Sequence, residues 1–218
     1  MAELPEQWEA VPEPGWVDPA LADEFPGLGL AHTTVPAGGG RSGPELKERL
    51  MELSNRFGGA QAIQLRQQAI PWSYRVFFRH IGLDPDETPP PAEEVSLNRM
   101  RDGSFKSRNR LDDALTIAVA EVGVAMLAFD ADKVEGRLGI RLAAEDEDFE
   151  GRSSPLVPGT IVIADEKRPL SILFRQSAKG REVGKKTERT TLVAVKVRGV
   201  PDVALEEALW VAASSMMA

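Results

Sequence analysis

Asp113 and Thr116 stand three positions apart in Asn109-Arg-Leu-Asp-Asp113-Ala-Leu-Thr116, a spacing that brings both side chains to one side of a helix. A carboxylate and a hydroxyl so placed serve either solvent or the wall of a polar cleft. Imidazole is scarce: His32 and His80 are the only two histidines, which leaves few ways to build a multi-histidine metal cluster or a Ser-His-Asp triad. His80 falls near a helix C-terminus, where an imidazolium can satisfy terminal carbonyls. His32 alternates with Leu28 and Leu30, which fits packing or a buried hydrogen bond. Cysteine is absent, so disulfides, thiolate nucleophiles, iron–sulfur ligation and Cys-containing zinc sites are excluded. No metal site and no cofactor is implied.

Positive charge is concentrated late in the chain. Lys167, Arg168, Arg175, Lys179, Arg181, Lys185, Lys186, Arg189, Lys196 and Arg198 face only Glu182 and Glu188 within 167–198, although the whole chain carries −8. That overall charge is poor for a protein that grips nucleic acid with its whole surface, and DNA is not an expected partner. A polarised molecule can still present a phosphate-facing edge, with Arg175, Lys179, Arg181, Lys185, Lys186 and Arg189 as candidates; the plainer alternative is a solvated loop face beside strands. Acid gathers in the first fifty residues and in Glu145-Asp-Glu-Asp-Phe-Glu150. Gly180-Arg-Glu-Val-Gly184-Lys-Lys-Thr187 has the ingredients of a nucleotide-phosphate loop and the wrong spacing: three residues part its glycines where four are needed, and a β-rich segment follows where a helix should.

The elements that position these groups read as helices first and strands later. The 218 residues, 42% hydrophobic and 28% charged, suit a packed globular chain. Residues 1–26, rich in Pro and Glu with Trp8 and Trp16 among them, are expected to wrap the surface, and Gly27 to Val35 to form a strand. Pro36-Ala-Gly-Gly-Gly-Arg-Ser-Gly43 reads as a flexible connection, so 1–43 is taken as an N-terminal segment and 44–218 as the main domain. Helices are expected from Pro44 (Leu46, Leu50, Leu53 and Phe57 on one face, ended by Gly58-Gly59), and after Pro71 (Tyr74, Phe77, Phe78 and Ile81 inward, Arg75 and His80 elsewhere). A third follows the prolines before Ala92, a fourth runs from Leu111 to Val122 with Gly123 as stop, and a last begins at Pro201. Strands are expected at Leu138–Leu142, Ile161–Ala164, Leu170–Phe174 and Thr190–Val197. This order argues for an α+β fold with a mixed, largely antiparallel sheet and helices packed on it. The longest apolar stretch, Ala114 to Phe129, holds Glu121 and is too short to cross a bilayer. With no secretory signature at Met1-Ala-Glu-Leu-Pro5, the chain reads as cytoplasmic, without a membrane partner.

Asn109-Arg-Leu-Asp-Asp113, then Glu121-Val-Gly-Val-Ala-Met126-Leu-Ala-Phe-Asp130-Ala-Asp132-Lys-Val-Glu-Gly136, then Ile140-Arg141, resemble the B3/B4 editing module of the bacterial phenylalanyl-tRNA synthetase beta subunit. That pattern runs asparagine, three residues, aspartate, a helix ending in glutamate-x-glycine, methionine-histidine-alanine-phenylalanine-aspartate-x-aspartate, then glycine and arginine. Pro158-Gly-Thr-Ile-Val-Ile-Ala-Asp165, Leu170, Thr187 and Leu192-Val193 follow the family's order of strands, and Gly82-Leu-Asp-Pro85 is similar to its free-standing members. The resemblance covers about residues 70–200. It implies a B3/B4-like fold and a module that binds the 3′ end of an aminoacyl-tRNA and hydrolyses a mischarged ester in trans; a complete ligase is not expected.

Carried over position by position, the resemblance places Asp113, Thr116, Leu127, Arg141 and Val193 around a pocket, with Arg75 as a further polar candidate and Arg141 expected to pair with Asp113 or with a ligand carboxylate or phosphate. Leu127 stands where the family has histidine, and Val193-Ala194 where it has a strand glutamate. Aliphatic side chains there remove a donor and acceptor and the group suited to a phenolic hydroxyl. No catalytic residue is assigned. The expectation is an aliphatic-walled cavity between the 111–122 helix and the C-terminal sheet, taking a more apolar guest than tyrosine. A binder of a free amino acid or of a protein, with its editing pocket reworked, remains the alternative.

Overall fold

The computed structural model describes residues 11–218. Its elements are β1 (Glu13–Pro14), β2 (Trp16–Val17), α1 (Pro19–Glu24), β3 (Gly29–Val35), α2 (Pro44–Arg56), α3 (Gly59–Leu65), α4 (Ala69–His80), α5 (Pro91–Asp102), α6 (Arg110–Val122), β4 (Ala125–Asp130), β5 (Gly139–Leu142), β6 (Ile161–Ala164), β7 (Pro169–Ile172), β8 (Thr190–Lys196) and α7 (Asp202–Met217). Two four-stranded sheets stand where a single one was expected, ordered β1-β3-β8-β4 and β2-β5-β6-β7. The β2–β5 pair is parallel and the other pairs are antiparallel, so the α+β, largely antiparallel character holds.

β8 lies at the centre of the first sheet because its sequence, Thr-Thr-Leu-Val-Ala-Val-Lys, is apolar on both faces and so demands cover on both. α7 supplies part of that cover, packing on α6, β8 and β3, and one continuous core holds Ile117 and Ala118 of α6, Leu192 to Val195 of β8 and Leu205 to Met216 of α7. Tyr74 of α4 reaches into it: its buried hydroxyl donates to the Val195 carbonyl at 2.5 Å and accepts from the Ala125 N–H at 3.1 Å. Burial pushes that phenol above its ordinary pKa.

Several boundaries differ from the sequence reading, each for a local reason. Gly58-Gly59 ends one helix and begins another: Gly58 is extended, and its N–H donates to Gln61 Oε1 at 3.1 Å as α3 starts. α4 begins two residues ahead of Pro71, whose missing N–H costs nothing in a first turn. Arg75 faces inward, buried against Glu93 and Asp86. β7 stops at Ile172, and Phe174 turns at φ 57° to pack its ring on Tyr74, Phe77 and Phe78. β4, absent from the sequence reading, closes the first sheet beside β8.

The N-terminal segment is built in. β1 pairs with β3, β2 with β5, and Leu21, Leu28, Leu30 and Val35 belong to the main core. Trp8 and the rest of residues 1–10 lie outside the described residues. The Gly-rich stretch is docked as well: a Cβ on Gly38 would sit 1.8 Å from the Thr187 carbonyl oxygen, so glycine permits a backbone approach that a larger residue blocks.

Candidate functional site

Asp113 is 1% exposed. Its carboxylate accepts from Ser42 Oγ at 2.5 Å, Ser107 Oγ at 2.6 Å and the Arg108 N–H at 2.9 Å. The expected shared polar face is therefore corrected: Asp113 points inward and ties the Gly-rich loop and the α5–α6 loop to α6, and three of the roughly four acceptor sites of its carboxylate are taken by the protein's own donors. Thr116 is half-buried and, with Asp113 and Arg99, lines a pit of about 70 Å³, room for a few waters and nothing larger.

Leu127 and Val193 face one another across β4 and β8. Val193 is fully buried and half-buried Leu127 packs against the same core that takes in α6. None of the four clefts described here is lined by Leu127 or Val193, so the expected cavity between α6 and the sheet is not among them. Arg141 does not pair with Asp113. It grips Glu147 with two nitrogens at 2.6 and 2.7 Å, and these bonds hold the Glu147 carboxyl below its usual range. Arg75 likewise links α4 to Glu93 and Asp86, away from any of the five pocket candidates.

Of the six basic candidates, two are already engaged. Arg181 holds Glu150 through two bonds of 2.7 Å and donates to the Lys133 carbonyl at 3.1 Å, and Arg189 lies 3.5 Å from Asp132. Arg175, Lys179, Lys185 and Lys186 are exposed and have no ion pair among the described residues. Lys185 and Lys186 sit at an open cleft of about 480 Å³ with Lys133, Asp130, Asp132 and Glu182.

The largest described cleft, about 620 Å³, lies between the C-terminal end of α4 and the second sheet. Phe25, Ile81, Leu83, Ile161, Ile172 and Leu173 give it an apolar floor, and His80, Thr160, Arg152 and Arg175 stand around it. Its volume falls in the range of about 300–1,000 Å³ usual for small-molecule sites. Sequence reasoning reached Arg175 and missed Arg152 and the cleft role of His80, which at α4's end is exposed and makes no described hydrogen bond. No periodic signal marks such residues, since the α1, α4, β6 and β7 segments meet only in three dimensions. Among the described residues no cluster of His, Asp and Glu is arranged to hold a metal ion, and no helix is long and apolar enough to cross a membrane.

The α+β core sets β4 and β8 side by side and places the Asn109–Asp113 start of α6 against the docked Gly-rich loop. Residues 73–205 match the B3/4 domain family, and the chain belongs to it. The phenylalanine–tRNA ligase beta subunit of Gloeobacter violaceus is 30% identical over 108 residues, 48% of this chain and 14% of that protein. The beta subunit from Neisseria meningitidis serogroup B is 33% identical over 99 residues, 44% of this chain and 13% of that one; Legionella pneumophila's is 31% identical over 77 residues, 34% and 10%. The matched part thus spans between 10% and 14% of these relatives' length.

Proposed function

We propose that this chain is a tRNA-associated B3/4 module, working in the cytoplasm, that binds the aminoacylated 3′ end of a tRNA. The observation that carries the reading is the 620 Å³ cleft, apolar at its floor and flanked by Arg152 and Arg175: an aminoacyl-adenosine has an apolar acyl part for such a floor and a phosphate for such a guanidinium. Kinship with phenylalanine–tRNA ligase beta subunits supports tRNA as the source of that group. Hydrolysis of a mischarged ester in trans is the activity to look for, with a water held in the cleft attacking the ester carbonyl. The test is a panel of mischarged tRNAs incubated with the purified protein. Salt-dependent tRNA binding with release of the amino acid establishes an editing enzyme; binding without release establishes a non-catalytic binder; the absence of both binding and release rejects the reading.

One observation favours a second reading, a binder of free amino acids. Leu127 and Val193 are aliphatic where the resembled module is polar, and the chain's net charge of −8 disfavours RNA. A free ligand at 100 times its dissociation constant adds about 2.7 kcal/mol of stability. A thermal-shift screen in which amino acids stabilise the protein and tRNA does not would select this reading.

A further inference from the structure

The α5–α6 loop carries a second basic run that ion pairing leaves open. Arg99 to Arg110 reads Arg-Met-Arg-Asp-Gly-Ser-Phe-Lys-Ser-Arg-Asn-Arg, five cations against Asp102, and Asp102 lies 3.3 Å from Arg101. The loop is held by its own polar residues. The Phe105 N–H donates to Ser54 Oγ at 2.9 Å, Ser107 Oγ to Asp113 at 2.6 Å, and Asn109 Oδ1 accepts the Asp112 N–H at 2.9 Å. These bonds hold the segment in place, and Lys106 and Arg108, both exposed, stand at the rim of the small pit that Asp113 and Thr116 line. Neither they nor Arg110 and Arg41 have an ion pair among the described residues, and the half-buried Arg110 leaves its Nε shut off from solvent without an acceptor.

The Gly-rich loop connects this run to the tip of the other. Its Gly38 abuts Thr187, its Gly39 abuts Val183 and Gly184, its Gly40 carbonyl accepts the Arg110 N–H at 2.8 Å, and its Ser42 bonds Asp113. Lys185 and Lys186 thus stand on one side of residues 38–42, Arg41 within them, and Arg110, Arg108 and Lys106 on the other. Of the neighbouring acids, Asp132 pairs with Arg189; Asp130 accepts from Thr187 Oγ1, Glu182 the Gly180 N–H and Asp112 from Asn109 Nδ2 with their charges kept, and Glu188 is exposed beside Lys186. Several cations distributed along one fixed backbone suit a nucleic-acid strand, with its many phosphates, better than a single anion.

We infer that Lys106, Arg108, Arg110, Arg41, Lys185 and Lys186 form one track for the phosphate backbone of RNA, with the Gly-rich loop as its floor. The inference rests on the tRNA reading and adds the surface by which the body of the RNA is held.

Its test is fluorescence-anisotropy binding of labelled total tRNA to the full chain across a salt series, for the wild type, K106E/R108E, K185E/K186E and R198E. Arg198 is exposed at the far end of β8, more than about 20 Å from Thr190 by strand geometry. Each double variant should weaken binding by about tenfold to a hundredfold and lower the slope of log K against log salt by about 2, with R198E within about threefold of wild type. Unchanged melting temperatures show that these exposed substitutions leave the fold intact. Wild-type binding that neither double variant weakens overturns the track and leaves the tRNA reading standing; no salt-dependent binding by the wild type overturns both. Competition by poly-aspartate as effective as by tRNA reassigns the track to an acidic protein and overturns it for RNA.

Discussion

The basic runs 167–198 and 99–110 look alike on paper and differ in where their carboxylates come from. In the later run, Lys167 and Arg168 meet Glu135, Arg168 and Arg181 meet Glu150, Arg189 meets Asp132, and Lys196 meets Asp202. Glu135, Glu150 and Asp132 are distant in sequence from the cations they neutralise; the β4–β5 connection and the acidic loop before β6 bring them in. The earlier run attracts no such partner beyond Arg101 with Asp102, because its loop is tied down by serine, asparagine and backbone groups. A run of like charge is thus a field only where folding brings no counter-charge to it.

The comparison breaks most sharply at Asp113. Substituting alanine leaves the buried Ser42 hydroxyl, together with the Ser107 hydroxyl and the Arg108 N–H, without their acceptor, and a buried group so stranded costs about 1–3 kcal/mol. D113A should lose about 3 kcal/mol in chemical denaturation and weaken tRNA binding by the protein that remains folded. A loss under about 1 kcal/mol would mean that the α5–α6 loop is ordered by something else.

A smaller change should convert the paired run toward the open one. Glu150 holds Arg181 and lies 3.6 Å from Arg168, and such pairs at a partly exposed site are worth under about 1 kcal/mol of stability. E150Q should therefore leave the melting temperature nearly unchanged while tightening tRNA binding by roughly threefold, as the Arg181 guanidinium is released to phosphate and Arg168 keeps Glu135. Unaltered affinity in E150Q would show that Arg181 does not meet RNA.

What could be read from the sequence follows the same division between local and non-local causes. The Leu111–Val122 stripe with Gly123 behind it, the β-branched Thr190–Val197 run and the prolines ahead of α5 carry their own signals, and those elements stand where they were expected. β4 escaped because Ala125 to Asp130 continues the apolar stretch of α6 without a change in composition, and only its pairing with β8 sets it apart. Arg141 had an aspartate in view, Asp113, and found Glu147 six residues on. The Arg99–Arg110 charge was countable from the start; what sequence lacked was the knowledge that Ser107 bonds Asp113 and that Gly38 to Gly40 bridge the run to the loop of Lys185 and Lys186.

Acid should erase the distinction between the two runs, and its sign is fixed by the carboxylates. Hydrogen bonds from Lys167, Arg181 and Arg141 hold Glu135, Glu150 and Glu147 respectively below their ordinary value of 4.5. A carboxylate lowered in the folded state contributes stability that is fully present above the unfolded-state value and is lost as pH falls through the folded one. Glu147 is the least exposed of the three, and its Oε2 also accepts the Ala144 N–H at 2.9 Å, so it fixes the loop that delivers Glu150. E147Q should cost about 0.5–1 kcal/mol at pH 7 and nothing once the pH is below the lowered value, where wild type and variant denaturation curves converge. Over the same fall in pH, protonation of Glu135 and Glu150 frees Lys167, Arg168 and Arg181, so tRNA affinity measured at constant salt should rise in wild type and stay flatter in E150Q. Parallel pH profiles for the two proteins would mean that the ion pairs of the later run do not govern its access to phosphate.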